Sequence, residues 1–168
     1  PGLELRHVDE VVDGASQAPE GLLHRLDGAA LGGAEGPELF AARSIVLHCD
    51  LPDGPVSAVG DADRVRRALG HLLDNALKFT PDKGAVAVEL RASPTHAEVV
   101  VVDSGEGVDA SWWGRIFDPF VQVDASPTRT HGGAGVGLAV VRGVAEAHGG
   151  SARASNERYR LLLARGQT

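Results

Sequence analysis

Sulfur and basic charge are both scarce in this chain. It has no methionine and a single cysteine, Cys49, so it can build neither a disulfide framework nor a cysteine-based zinc site. Cys49 closes the apolar run Ile45-Val46-Leu47-His48-Cys49, which reads as a strand and makes it a core thiol rather than a reactive one. Acidic residues outnumber basic ones by 23 to 16, for a formal net charge of −7. A nucleic-acid backbone needs clustered Lys and Arg, so nucleic acid is excluded as a main partner. No apolar run approaches the roughly 18 residues of a spanning helix, and no secretory leader pattern is visible. The expectation is a cytoplasmic piece with no membrane contact of its own. With no methionine and Pro1 at its start, it reads as part of a longer protein, in which a membrane anchor stays open.

What is present fits one globular domain over residues 1–168. Hydrophobic residues make up 43% of the chain, enough for a real core at this length. Residues 44–164 read as the core and residues 1–43 as an atypical N-terminal segment. In that segment Leu3–Val8 alternates like a strand, a short helix runs to Val12, and a second helix falls around Leu22–Leu31. Ser44–Leu51 and Pro55–Val59 read as strands joined at Asp53-Gly54. A long helix follows, from Asp61 or Asp63 to about Phe79. Its apolar stripe is Val65, Ala68, Leu69, Leu72, Leu73, Ala76 and Leu77; Arg67, His71, Asp74, Asn75 and Lys78 lie on the other side. Ala85–Ala92 and His96–Asp103 form a hairpin around Ser93-Pro94-Thr95. Trp112–Phe117 reads as a short helix and Pro119–Gly133 as a mobile loop. Leu138–Ala147 is a helix stopped at Gly149-Gly150, and Ser151–Ser155 and Tyr159–Leu163 are the last strands. Strand pairs with two or three helices predict a two-layer α/β sandwich.

The chemistry concentrates in glycine-rich turns. Asp103-Ser104-Gly105-Glu106-Gly107 follows a run of four valines, and Gly133-Ala134-Gly135-Val136-Gly137-Leu138 runs into a helix. Glycine lets a backbone take positive φ and approach a ligand, and N–H groups at a helix start favour phosphate. A carboxylate at a strand end can accept from an exocyclic amine, such as N6 of adenine. Asn75 borders the apolar stripe, where an uncharged amide can hold a metal or a hydrated phosphate.

The order of these blocks, with Ile116-Phe117-Asp118-Pro119-Phe120 between the two glycine turns, resembles the catalytic ATP-binding domain of bacterial sensor histidine kinases. Phe120-Val121-Gln122-Val123-Asp124 and Glu146-Ala147-His148-Gly149-Gly150 are similar to that family as well, and the resemblance covers roughly residues 45 to 155. It implies the Bergerat fold, a mixed and mostly antiparallel sheet with helices on one face, and an ATP lid over residues 118–134. It implies ATP and Mg²⁺ as cofactors. Catalytic roles fall on His71, Asn75 and Lys78, with Asn75 the Mg²⁺ ligand and Lys78 a cation for phosphate. Nucleotide contacts fall on Asn75, Lys78, Asp103, Gly105, Gly107, Phe120, Arg129, Gly133, Gly135, Gly137 and Leu138. Phe117 and Phe120 would pin the lid to the body by packing. A histidine at position 71, where related ATPases carry a water-activating glutamate, favours phosphotransfer over hydrolysis.

None of the seven histidines has the Ser-His-Glu-Leu-Arg-like context of a phosphoacceptor. The resemblance therefore implies two partners: a helical dimerisation and phosphoacceptor domain outside this chain, and a downstream response regulator. Two other readings stay open. Ala134, where many relatives carry Thr, and the departure at Ser155-Asn156-Glu157-Arg158-Tyr159 fit a degenerate module that binds a nucleotide or second messenger without catalysis. A serine kinase of the anti-sigma-factor type shares the fold.

Overall fold

The computed structural model describes residues 36–52, 56, 60–123, 134–155 and 158–164. Its central element is helix α2 (Ala62–Phe79). Asp61 starts it: the carboxylate accepts from the N–H groups of Asp63 and Arg64 at 3.0 and 3.1 Å. That satisfies two of the donors a helix start leaves open. Val65, Ala68, Leu69, Leu72, Leu73 and Ala76 recur at helical spacing and are buried, as the stripe predicts. The helix stops at Thr80, which is extended because Pro81 disfavours the α region before it.

Both ends of α2 are held by side chains from elsewhere. At the C-terminus the Arg43 guanidinium donates to the carbonyls of Leu77 and Thr80 and pairs with Asp82. At the N-terminus the Asp61 N–H donates to His148 Nε2 at 2.8 Å, while His148 Nδ1 lies 2.7 Å from the Val144 carbonyl. A carbonyl only accepts, so the ring carries its hydrogen on Nδ1 and leaves Nε2 as the acceptor. Gly60 sits against this ring; a Cβ there would lie 1.7 Å from His148 Cδ2.

Five strands form one sheet in the order β1 (Val46–Asp50), β2 (Ala85–Ala92), β3 (His96–Asp103), β5 (Arg158–Ala164), β4 (Ser151–Ser155). β1 and β2 are parallel, because α2 crosses over between them; every other pair is antiparallel. The β2–β3 hairpin turns at Ser93-Pro94-Thr95, where Ser93 N–H donates to the His96 carbonyl at 2.8 Å. Helices α2 and α3 (Gly137–Ala147) pack on each other and on one face of the sheet. Val99, Val101, Leu161 and Leu163 point into that layer and are fully buried. The other face is charged: Arg91 pairs with Glu89, and Arg160 with Glu98. This is the two-layer sandwich with a mixed, mostly antiparallel sheet that the sequence predicts.

Several local expectations change. The first strand is Val46–Asp50 rather than Ser44–Leu51. Ser44 has φ 53 and donates to the Ala41 carbonyl, so it belongs to a turn. That turn follows α1 (Gly36–Ala42), a helix the composition hid, which buries Phe40. Trp112–Phe117 is not a helix. A 3₁₀ turn at Ala110–Trp112 continues into further turns, such as Arg115 N–H to the Trp112 carbonyl at 2.8 Å. A segment this short, interrupted by Gly114 and ended by Pro119, cannot repay α-helix nucleation. The elements expected in residues 3–12 and 22–31 lie outside the described residues, as does the strand expected at 55–59 apart from Val56, which is buried.

Candidate nucleotide-binding site

Strand β3 alternates its valines between faces and places Asp103 on the inner one, at its C-terminal end, where it is 7% exposed. Asp103 Oδ1 accepts from the Gly105 N–H at 2.9 Å. Gly105 has no room for a side chain: a Cβ would lie 2.6 Å from Asp103 Oδ1 and 2.7 Å from the Phe79 carbonyl oxygen. The turn thus rests directly on the end of α2. Ser104 stitches it to β2, its N–H donating to the Ala85 carbonyl and its Oγ accepting from Ala85 N–H at 2.9 Å. Gly107 is needed for a different reason, a left-handed backbone with φ 72.

Across from this turn, α2 carries His71, Asn75 and Lys78 one turn apart. Asn75 is half-buried, and its amide makes no hydrogen bond to another described residue. Lys78 places its Nζ 4.8 Å from the centre of the half-exposed Phe79 ring. His71 lies beside the start of α3, 3.5 Å from where a Cβ on Gly137 would be, which is ordinary contact distance. α3 begins at Gly137 with no side-chain cap on its first N–H groups, leaving donors that suit an anion. Leu138 packs against the core behind them.

The two ends of the expected lid are joined. Phe120 N–H donates to the Gly135 carbonyl at 2.9 Å. Gly135 has φ 68, and a Cβ there would meet the Val121 carbonyl oxygen at 2.9 Å. Arg142 of α3 pairs with Asp118 at 2.9 Å, a tie without a local sequence pattern. Phe117 is buried at 3% exposure, the packed anchor expected of it. Phe120 is not such an anchor. Its backbone is left-handed, φ 63, held by the bond to Gly135, and the residue is 79% exposed. Arg129 and Gly133 lie outside the described residues.

Sequence reasoning also missed Tyr159. It is 9% exposed and stands opposite Val101 on the neighbouring strand, two residues short of Asp103 on the same face. Burial, with the Asp103 carboxylate adding to it, pushes its hydroxyl up to about 12. An aromatic residue in an interior strand reads as core packing, and only the register brings it beside the carboxylate.

Among the described residues no group of three or more His, Cys, Asp or Glu could hold a metal ion. The Asn75 amide oxygen, one turn before Lys78 on α2, accepts no hydrogen bond from another described residue. One neutral oxygen is a fitting donor set for Mg²⁺, which takes its other ligands from phosphates and water.

Residues 60–168 match the family of histidine kinase-, DNA gyrase B- and HSP90-like ATPases, and the chain belongs to that family. Within it, the sheet and helices are those of the Bergerat-fold ATP-binding domains of sensor histidine kinases. The chain is 32% identical to the signal transduction histidine-protein kinase BaeS of Escherichia coli K12 over 147 residues, 88% of this chain and 31% of that protein. The structure of the mycobacterial sensor histidine kinase MprB superposes with a TM-score of 0.66 at 30% identity, over 77% of this chain and 90% of that one. Full-length ShkA, solved in complex with AMPPNP, superposes with a TM-score of 0.60 at 27% identity, over 78% of this chain and 29% of that one. The chain spans between 8% and 31% of the length of the first curated relatives it matches. None of the described helices is long and apolar enough to cross a membrane.

Proposed function

We propose that the chain binds Mg·ATP between α2, the Asp103 turn and the start of α3, and presents the γ-phosphoryl group to a histidine on a helical dimerisation and phosphoacceptor domain. The observation that carries this is the Asp103–Gly105–Phe79 contact. A buried carboxylate is held by a backbone N–H at the end of a strand, in a turn too tight for any residue but glycine, directly against the helix that carries Asn75 and Lys78. Asp103, an acceptor held in place by the Gly105 N–H, would accept from the adenine N6 amine. Lys78 would neutralise phosphate charge as a compact cation. The uncapped N–H groups of α3 would face phosphate oxygens. Mg²⁺, held by Asn75 and the phosphates, would supply charge neutralisation during transfer. His71, beside Gly137, takes the place of a water-activating carboxylate, and an acidic residue next to the acceptor would serve as base.

In this reading phosphoryl transfer is mainly a matter of placing two reactants in line. Residues 44–164 are the catalytic core, residues 118–134 the lid, and a response regulator in the cytoplasm receives the phosphoryl group from the acceptor histidine. The first test is calorimetric titration of Mg·ATP and Mg·ADP into the purified chain, Asn75→Asp and Asp103→Asn. Micromolar binding weakened by both substitutions supports the site. A folded chain that binds neither nucleotide would replace this reading with a regulatory module that kept the fold alone.

A further inference from the structure

We infer that the Tyr159 hydroxyl reads the nucleobase together with Asp103, donating to the ring nitrogen N1 of adenine while Asp103 accepts from the adjacent N6 amine. The inference rests on the nucleotide reading above and extends it to the source of base specificity.

Three observations place the hydroxyl there. Tyr159 pairs with Val101 across β3 and β5, so Asp103 is its diagonal neighbour on the same inner face. Diagonal cross-strand partners are about 7–8 Å apart, within reach of an aromatic side chain. The residue is 9% exposed, and its hydroxyl bonds to no other described residue. Yet that oxygen is not sealed in: among the described residues, Thr80 Oγ1 is the side-chain polar atom that is fully enclosed without a partner. The hydroxyl is therefore not fully enclosed, and it lies close enough to Asp103 for that carboxylate to act on it.

The chemistry is complementary to one purine. Asp103 accepts only, and one of its oxygens is committed to Gly105. A buried phenol beside a carboxylate keeps its proton through the neutral range, so Tyr159 remains able to donate. Adenine offers a donor at N6 and an acceptor at N1, matching an acceptor and a donor side by side. Guanine offers the reverse, an acceptor at O6 and a donor at N1. A site built to hydrogen-bond one pattern leaves its own groups unpaired against the other.

Wild-type chain and Tyr159→Phe are titrated calorimetrically with the Mg²⁺ complexes of ATP, 1-deaza-ATP (a C–H in place of N1) and GTP. The wild type should lose about five- to tenfold in affinity on going from ATP to 1-deaza-ATP, one neutral hydrogen bond. Tyr159→Phe should lose the same factor for ATP, lose nothing further for 1-deaza-ATP, and discriminate less against GTP. Equal losses for ATP and 1-deaza-ATP, or none, overturn the assignment. Should Tyr159→Phe not fold by circular dichroism, the wild type still decides it: Tyr159 is the sole tyrosine, and bound ATP should shift its phenolate titration upward. An unchanged titration overturns the proposal. A wild type that binds no ATP removes the nucleotide reading as a whole; ATP binding indifferent to Tyr159 removes this inference alone.

Discussion

Gly105→Ala probes the structure at its tightest point. A Cβ there would stand 2.6 Å from Asp103 Oδ1 and 2.7 Å from the Phe79 carbonyl oxygen, and the second of these is backbone. Atoms at such distances must separate, and the Asp103 carboxylate is itself buried and bonded to Gly105. Moving the turn away from α2 stretches the 2.9 Å bond from Gly105 N–H to Asp103. Overpacking costs about 1–3 kcal/mol and loss of a hydrogen bond to a carboxylate about 1.5–3 kcal/mol. The two share one displacement, so about 2–4 kcal/mol is expected in sum. At roughly 2–4 °C per kcal/mol for a chain of this size, the melting temperature should fall by about 5–15 °C. Because the same displacement moves Asp103, Mg·ATP affinity should fall as well. Gly70→Ala is the control: it lies inside α2 with nothing within 4 Å of its would-be Cβ, and should stabilise by about 0.5–1 kcal/mol. Thermal unfolding by circular dichroism and calorimetry report both quantities. A Gly105→Ala protein that melts and binds like the wild type would refute the geometry of this turn.

Arg43→Ala releases the carbonyls of Leu77 and Thr80 and should cost about 1–3 kcal/mol in urea unfolding; Arg43→Lys should recover less than half, since an ammonium cannot serve three acceptors in a fixed fork. An unchanged urea midpoint would contradict that clasp. Tyr159 should ionise at about 12 in the folded chain, visible as late phenolate absorbance. Its raised value means stability is intact below the ordinary tyrosine value, near pH 10, and lost as pH rises toward 12, by about 2–3 kcal/mol; titration at the ordinary value would refute the burial beside Asp103. Asp61 has the opposite sign. Hydrogen bonds from the Arg64 and Asp63 backbone hold its carboxyl below its usual range, so its contribution is present above that range and fades as pH falls through the depressed value. Asp61→Asn, still a good cap, should flatten the acid limb of a melting-temperature profile and leave neutral stability little changed.

Periodic features were legible in the sequence and long-range ones were not. The stripe from Val65 to Ala76 follows from the helix repeat of 3.6, and the strand ending at Asp103 from its run of four valines. The glycine turns were visible as turns, but not that Gly105 serves close approach while Gly107 serves positive φ. Phe117 and Phe120 look alike in sequence; a hydrogen bond to Gly135 leaves one buried and the other exposed. Arg43 reaches 37 residues to Thr80, Asp61 reaches 87 to His148, and Arg142 reaches 24 to Asp118. No local pattern encodes such contacts, since each depends on where two separate elements finally pack.

The strand order β1-β2-β3-β5-β4 puts the last strand of the described fold inside the sheet rather than at its rim. During synthesis β3 emerges long before its neighbour β5, and β4 appears with nothing to pair with until β5 follows. A chain stalled before Arg158 would leave the edge of β3 open from His96 to Val102, a ready template for another strand. Closing that gap depends on contacts distant in sequence, which form late. The aspartate at the end of β3 thus gains its flanking strand only once translation has passed residue 158.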